Sequence, residues 1–465
     1  MPRKLHLLEI MLITLAALAV LLMDASVNEL HGTAVFYASL IREMVTGGWL
    51  SIFEGERAYF LKPPLVLWLS SASAEIFGLT NFGVSLPPRV AGILSVALTY
   101  LVARKLYDHR VAALTCIVLI TNSTFIQFSA TLRMDSMLLF GGLLSIYAWL
   151  ERDRHWSSAA LFLGITIGVL SKGPLGLAPI LLIAIHAFLL RIPLWDHVRW
   201  RWAWLLAPIF LWYGYLYALH GDAPFSQLGA DLAKPAADAA TSGWRDTVSE
   251  YVIKPARRYL PFLPFMIVGA WLSLVSAVRG RNDERQQSRW LILWFAIVFI
   301  AAAAKPDKDI RYLYMGLPVL SMFAAISLAA VQHRFRLQWL STALATFTIV
   351  LALFYNFGPQ AKPDTRPVID AMIEEIKIDD SPLRAIGGYP IPPGQARRQN
   401  THRDWIHFYL GREPQVLSWK QISPDQIRSG DAFFLTNNRT HEQRLAEYGL
   451  TAKYKTIEMV YAIRQ

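Results

Sequence analysis

Long hydrophobic runs separated by short charged segments dominate the first 355 positions of the chain. Their length and apolar composition are typical of membrane-spanning helices, and the pattern predicts about 11 to 13 of them. The clearest runs lie at residues 7–23, 89–102, 112–128, 136–150, 157–170, 175–190, 202–219, 259–278, 290–304, 312–331 and 337–355. An all-α polytopic membrane domain over residues 1–355 is therefore predicted.

Short basic loops alternate along these runs and predict the orientation of the chain. Arg3 and Lys4 precede the first run, and no small-residue cleavage site follows it, so we interpret it as an uncleaved helix with a cytoplasmic N-terminus. Every second loop then contains Arg or Lys, as the positive-inside rule expects. These loops are residues 104–110, 151–155, 191–201, 279–289 and 333–336.

Two segments on the predicted outer side of the membrane differ in pattern from the long hydrophobic runs. Residues 24–87 form a long first loop with amphipathic pieces at 37–44 and 65–77, which we expect to lie at the membrane interface. Residues 356–465 are interrupted by prolines and contain one helical pattern and three strand-like runs. The helical pattern covers 368–378, and the runs cover 385–389, 432–435 and 459–463. This tail is predicted to be a small soluble α/β domain.

Composition and charge limit the possible functions. The chain is 54% hydrophobic and only 17% charged, which excludes an ordinary soluble protein. Its formal net charge of +11 comes largely from short loops, so it indicates orientation and anionic lipid or phosphate partners rather than nucleic acid. The sequence has no phosphate-binding glycine loop, dinucleotide fingerprint or paired Cys/His motif. No cofactor is predicted, and a divalent metal is not indicated.

Cations, Arg89 among them, collect in the predicted outer loops, where the positive-inside rule does not place them. Lys62 precedes two prolines, and Lys172 lies in a Ser-Lys-Gly-Pro turn, so a rigid backbone aims each ammonium group at one place. A cation 4 Å from a phosphate oxygen contributes roughly 4 kcal/mol at an effective dielectric constant of 20. The alternative is that these side chains anchor helices at the interface. The predicted phosphate-binding residues are Lys62, Arg133, Lys172, Arg57, Lys308 and Arg311.

Carboxylates lie at the edges of the spans on the same side. Glu29, Asp24 and Asp135 are candidates for a general base that takes a proton from an acceptor, a role that contributes about 10²- to 10⁴-fold. The alternative for Asp135 is an ion pair with Arg133 or Lys172. His31 either shuttles a proton, binds a metal, or is an interfacial histidine.

Several short motifs in the first 320 residues resemble the membrane glycosyltransferases of the C-type superfold (GT-C). The similarity is to the group that includes dolichyl-phosphate-mannose protein mannosyltransferases and lipid A aminoarabinose transferases. The matching pieces are Arg42-Glu43-Met44, Gly47-Gly48-Trp49, Lys62-Pro63-Pro64-Leu65 with Trp68, Phe77-Gly78, Arg89, Arg133-Met134-Asp135, Ser171-Lys172-Gly173-Pro174 and Lys308 to Pro318. Their order and spacing carry the resemblance.

The resemblance implies transfer of a sugar from a polyprenyl-phosphate carrier to an acceptor on the outer face, without an obligatory metal. In the family the catalytic aspartate lies in an Asp-Glu-x-x-Tyr pattern of the first loop. Counting back from Arg42 puts Tyr37 on the tyrosine but Thr33-Ala34 on the acidic pair. The nearest acids are Glu29, which we favour, and Asp24. His31, Tyr37 and Tyr312 are expected to serve as acceptor-binding or accessory residues.

The sequence thus predicts a monomeric, multi-pass glycosyltransferase of the bacterial inner membrane with a periplasmic active site and tail. Its partners would be a polyprenyl-phosphate-sugar donor, membrane lipids and a lipid, glycan or protein acceptor. A transporter or flippase of a phosphorylated lipid is the first alternative, but it predicts charges near the bilayer midplane and inverted repeats. The second alternative is a non-catalytic membrane sensor that binds through its tail.

Overall fold

The structure, a computed structural model, describes most of the membrane domain and much of the tail. The described residues are 3–22, 30, 32–50, 52–54, 57–229, 244–304, 309–335, 350, 366–378, 383–386, 401–412, 414–417, 422, 425, 427–429, 431–436, 444–456 and 459–464. The predicted span at 337–355 lies almost entirely outside them.

Helices follow one another through the membrane domain, and several have a proline as their second residue. A proline in the first turn removes only an amide that has no intrahelical partner, so it starts a helix at little cost. In chain order the helices are α1 (Arg3–Leu22), α2 (Thr33–Gly47), α3 (Leu65–Phe77), α4 (Asn81–Leu106), α5 (His109–Thr121), α6 (Ser123–Ser129), α7 (Asp135–Leu150), α8 (Ser157–Lys172), α9 (Ala178–Leu189), α10 (Leu194–His197), α11 (Ala207–His220), α12 (Trp244–Val248), α13 (Lys254–Arg258), α14 (Leu263–Arg279), α15 (Asn282–Ala303) and α16 (Leu317–Arg334). Short 3₁₀ turns at Gly173–Leu177, Trp200–Leu206 and Ile310–Gly316 lead directly into α9, α11 and α16.

Five helical stretches of the described chain are long and apolar enough to cross a membrane, and the bent pair α5–α6 makes a sixth. The five are Asn81–Leu106, Ser157–Leu190, Trp200–His220, Asn282–Ala303 and Ile310–Arg334. Shorter apolar helices accompany them: the Met11–Leu22 part of α1, and the helices Leu65–Phe77, Asp135–Leu150 and Leu263–Arg279. The chain is a multi-pass membrane protein, and its mostly helical architecture agrees with the predicted fold class.

The stretch Ser157–Leu190 is not one straight helix. Gly176 packs so closely on Gly168 that a Cβ at Gly176 would lie 2.2 Å from the Gly168 carbonyl carbon. Eight residues of continuous α-helix would separate these positions by about 12 Å. The chain therefore reverses around Lys172 and Gly173, where Gly173 has φ +65°. This reversal agrees with the two separate predicted runs at 157–170 and 175–190.

The helix α4 begins earlier than the sequence predicted. Thr80 caps its N-terminus by accepting a hydrogen bond of 3.1 Å from the Gly83 amide. The helix then continues through Pro87, where the predicted first loop ends, and through Pro88. Consequently Arg89 lies inside the helix, is 1% exposed, and donates to Ser85 Oγ and the Leu21 carbonyl. Its expected place in an outer loop was wrong.

The tail contains a five-stranded mixed sheet with two helices. Helix α17 (Arg366–Ile378) precedes β3 (Arg384–Ile386), and α18 (Thr401–Leu410) lies in sequence between β3 and β4 (Gln415–Leu417). The strand order is β4-β3-β5-β7-β6, where β3 pairs in parallel with β4 and β5, and the remaining pairs are antiparallel. The other strands are β5 (Ala432–Thr436), β6 (Leu450–Lys455) and β7 (Met459–Arg464).

The predicted helix at 368–378 and the strands at 432–435 and 459–463 are confirmed as α17, β5 and β7. The strand predicted at 385–389 appears as β3 at Arg384–Ile386. Sequence reasoning missed α18, β4 and β6. In the first loop, the predicted amphipathic pieces correspond to α2 and α3, and a two-residue hairpin pairs β1 (Phe53–Glu54) with β2 (Arg57–Ala58).

Candidate active site

One cavity of about 710 Å³ gathers side chains from the first loop and from several membrane helices. Four cations and one carboxylate are among its described lining residues, which leaves an excess of three positive charges. They are Lys62, Arg133, Lys172, Arg311 and Asp135. These residues are separated by up to 249 positions in the sequence (311 minus 62), yet they face the same space. The cavity is therefore suited to an anionic group.

Asp135 is the most buried of the five charged groups. It is 4% exposed, begins α7, and accepts a hydrogen bond of 2.5 Å from Lys172 Nζ. Arg133 Nε lies 3.4 Å from its other oxygen. The helix N-terminus adds a favourable partial charge to these two cationic contacts. Asp135 therefore holds Lys172 and Arg133 in place, which matches the ion-pair alternative from the sequence.

The two lysines reach the cavity from chain turns. Lys62 lies three residues before α3, and the Pro64 carbonyl at the start of that helix accepts a 2.8 Å hydrogen bond from the Trp68 amide. Lys172 is the last residue of α8, directly before the reversal at Gly173. Helix ends and prolines thus fix both backbones, as the sequence predicted.

Arg311 enters the cavity from the 3₁₀ turn before α16. Its guanidinium lies 3.3 Å from Asp309 Oδ2, donates 3.2 Å to the Tyr312 hydroxyl, and stacks 5.1 Å from the centre of the Tyr312 ring. Tyr312 also lines the cavity. Arg133 is supported in a similar way, because its guanidinium lies 4.7 Å from the centre of the Phe128 ring. Both arginines are thereby oriented before any ligand binds.

The first-loop helix α2 contributes Thr33 and Tyr37 to the same cavity. Burial, and secondarily the charge of Asp135, raises the pKa of Tyr37 to about 12. Tyr37 therefore stays protonated at neutral pH, and its hydroxyl shares a hydrogen bond with Tyr59. Thr33, the position that counting placed on the family's acidic pair, has no ionisable group. Asp135 is the only carboxylate lining the cavity in the described part of the chain.

Several predicted site residues lie outside the described residues. They are Asp24, Glu29, His31 and Lys308. Arg57 lies in β2, but its side chain is also outside what the structure describes. Their expected roles as general base, proton shuttle and phosphate ligands remain predictions.

Apolar side chains, which we call the apolar wall, also line the cavity, and sequence reasoning did not identify them. Helix α15 contributes four of its residues, and α9, α11 and the 3₁₀ turns contribute others. The wall includes Ile297, Val298, Ala301, Ala302, Leu175, Ala178, Tyr213 and Met315. No local motif could identify these residues, because apolar lining residues resemble lipid-facing ones in sequence. The cavity thus combines cationic groups, suited to a phosphate, with apolar lining residues, suited to a hydrocarbon chain.

Comparison with solved structures identifies the architecture. The chain superposes on the structure of ArnT from Cupriavidus metallidurans bound to undecaprenyl phosphate with a TM-score of 0.68, covering 98% of this chain and 97% of that one at 14% identity. The chain has the GT-C fold of ArnT. The predicted resemblance to C-type membrane glycosyltransferases is therefore confirmed at the level of fold.

Sequence comparisons agree with this fold. Residues 61–215 match the family model of dolichyl-phosphate-mannose-protein mannosyltransferases, a segment that includes Lys62, Arg133, Asp135 and Lys172. The chain is 30% identical over 323 residues to an undecaprenyl phosphate-alpha-4-amino-4-deoxy-L-arabinose arabinosyl transferase of Pseudomonas aeruginosa, covering 65% of this chain. It is 23% identical over 316 residues to the enzyme of the same name from Shewanella sediminis, covering 62%. The chain spans 55% and 53% of the length of these two relatives.

Proposed function

We propose that this protein is an integral membrane glycosyltransferase that transfers a sugar from a polyprenyl-phosphate donor to an acceptor at the periplasmic face. The cavity carries the proposal, because it places four cations beside an apolar wall within a fold shared with ArnT. A glycosyl polyprenyl phosphate combines one negative charge with a long hydrocarbon chain, which matches the cations and the apolar wall of the cavity. The relatives named as undecaprenyl-phosphate aminoarabinose transferases support the donor class.

The reaction is a direct displacement at the anomeric carbon. The acceptor oxygen or nitrogen forms a bond to that carbon while the bond to the phosphate oxygen breaks, and the polyprenyl phosphate leaves with the electron pair. The phosphate becomes more negative as it leaves, from a charge of about −1 towards −2. Lys62, Lys172 and Arg311 therefore bind the leaving group more strongly than the donor, which lowers the barrier.

The proton lost by the acceptor goes to a carboxylate of the first loop. Asp135 is poorly suited to this step, because a carboxylate held by two cations is a weak proton acceptor. We assign it a positioning role for Lys172 and Arg133 instead. Glu29 remains the favoured base and Asp24 the second choice, on the sequence argument given above.

We infer that the cavity and the tail face the periplasm of a bacterial inner membrane and that the protein acts as a monomer. The basic loops support this orientation, because they lie at alternate connections and are assigned to the cytoplasm. The remaining connections, which include the turns of Lys62 and Lys172 at the cavity, then lie on the periplasmic side. The lipid acceptor follows by analogy with the aminoarabinose transferases, and lipid A is the acceptor to test first.

The test is a transfer assay with the purified protein in lipid nanodiscs. Undecaprenyl phosphate-linked 4-amino-4-deoxy-L-arabinose serves as donor and lipid A as acceptor, and mass spectrometry detects the product. Lys62→Gln should reduce transfer at least tenfold. Lys254→Gln is the matched control, because Lys254 is exposed and pairs with Glu250 outside the cavity lining. Equal activity of both variants would contradict the proposed site, and an inactive wild type would contradict this donor and acceptor.

A further inference from the structure

The soluble tail is joined to the first-loop helix that lines the cavity. Leu30 N donates 3.1 Å to the Tyr409 hydroxyl, and Arg42 Nη1 donates 2.8 Å to the Phe408 carbonyl. These contacts connect residues 379 and 366 positions apart. Leu30, Val35, Trp405 and Phe408 belong to one buried apolar cluster. We call this contact between α2 and α18 the α2–tail joint.

Arg42 completes the C-terminus of α18. That helix ends at Leu410, and Gly411 follows with φ +68°, a conformation that favours glycine. The carbonyls of a last helical turn have no intrahelical partner and carry partial negative charge, so a guanidinium that bonds to the Phe408 carbonyl is favourable there. A Cβ at Gly411 would lie 2.4 Å from Arg42 Nη2, so the guanidinium fills the space that this glycine leaves.

Helix α2 presents a different face to the cavity from the one that contacts the tail. Tyr37 lines the cavity and Arg42 contacts the tail, and their separation of five positions corresponds to about 140° around the helix axis. Helix α2 is therefore held between the cavity and the soluble tail. Fixing one face of a rigid helix also fixes the other.

Tyr409 acts on the segment before α2. Leu30 lies three residues before the first residue of α2 and is 2% exposed. The hydrogen bond from this amide to the Tyr409 hydroxyl restrains the backbone of Leu30. Tyr409 itself packs against the Trp405 ring at 4.6 Å and the Phe408 ring at 4.8 Å, which restrict its own position.

We propose that Tyr409 and Arg42 are positioning residues through which the soluble tail holds Leu30 and α2, and with α2 the cavity-lining Tyr37, in the geometry that transfer to the acceptor needs. The tail thereby acts on transfer without touching the donor phosphate. This inference rests on the proposed function for its kinetic consequence, whereas its structural consequence is independent of it.

The test compares Tyr409→Phe with Tyr454→Phe in the full chain in nanodiscs. Both changes remove one hydroxyl from the tail, but the Tyr454 hydroxyl donates 2.8 Å to Glu375 within the tail. Hydrogen–deuterium exchange should show the Leu30 amide exchanging about 2- to 10-fold faster in Tyr409→Phe alone, as expected for the loss of one hydrogen bond. Arg42→Met should loosen the whole of α2 in the same experiment.

Transfer kinetics provide the second readout. In Tyr409→Phe, kcat/KM for lipid A should fall about 2- to 10-fold while the Kd for undecaprenyl phosphate stays unchanged. Equal exchange rates of the Leu30 amide in the Tyr409→Phe and Tyr454→Phe variants would contradict the α2–tail joint. Faster exchange with unchanged kcat/KM would overturn the positioning role. A wild-type protein that does not transfer the sugar would contradict the proposed function, and exchange would still decide whether the tail holds α2.

Discussion

Replacing Asp135 and Lys172 one at a time should change the affinity for undecaprenyl phosphate in opposite directions. The two groups are 2.5 Å apart and nearly buried, with side-chain exposures of 6% and 16%. A phosphate oxygen bound to the other side of the Lys172 ammonium group would lie roughly 5.5 Å from Asp135, which is about two hydrogen-bond lengths. Asp135 therefore orients Lys172 but also repels the ligand.

The magnitudes follow from Coulomb's law. At an effective dielectric constant of about 20, the repulsion from Asp135 at about 5.5 Å is about 3 kcal/mol, and the attraction to Lys172 at about 2.8 Å is about 6 kcal/mol. Water in the open cavity reduces both. We therefore expect Asp135→Asn to bind undecaprenyl phosphate about 3- to 10-fold more tightly, because the asparagine oxygen still accepts from Lys172. Lys172→Gln should bind it about 10- to 100-fold more weakly.

Isothermal titration calorimetry with undecaprenyl phosphate measures both changes, and size-exclusion chromatography with thermal melting verifies that each variant is folded. The double variant restores the wild-type net charge and should bind more tightly than Lys172→Gln alone. The difference in affinity between the wild type and each single variant should become smaller as the salt concentration is raised. Weaker binding by Asp135→Asn, comparable to that of Lys172→Gln, would refute the electrostatic reasoning.

Two further predictions concern the fold and the acceptor step. Gly176→Ala should destabilise the protein by about 1–3 kcal/mol, seen as a lower Tm, because its Cβ would meet the backbone at Gly168, whereas Gly214→Ala has open space and should leave Tm unchanged or raise it. Glu29→Gln should lower transfer about 10²- to 10⁴-fold with unchanged binding of undecaprenyl phosphate, and Asp24→Asn should not. The reverse result in this pair would move the base to Asp24.

The cationic end of the cavity could be predicted because local chemistry marks it. Lys62 and Lys172 stand beside Pro-Pro and Gly-Pro pairs at the ends of apolar runs, and Asp135 begins a run. Proline and glycine at such positions determine where a helix begins or ends, so the sequence can place the charge at the edge of a span. The structure brings these three residues together in one cavity.

Features that depend on distant packing could not be predicted. Arg89 looked like a loop cation after two prolines, but α4 continues through them, and the Leu21 carbonyl, which is remote in sequence, accepts from the guanidinium. Likewise nothing near Arg42 indicates that it caps a helix 366 residues later. Such partners are fixed by tertiary contacts, which a local pattern does not encode.

A structure of the protein with bound undecaprenyl phosphate would decide whether this cavity holds the donor. The phosphate should lie within about 4 Å of the ammonium groups of Lys62 and Lys172 and the guanidinium of Arg311, with the prenyl chain along Ile297 and Ala301. A phosphate bound elsewhere, with the prenyl chain outside the cavity, would contradict the proposed active site.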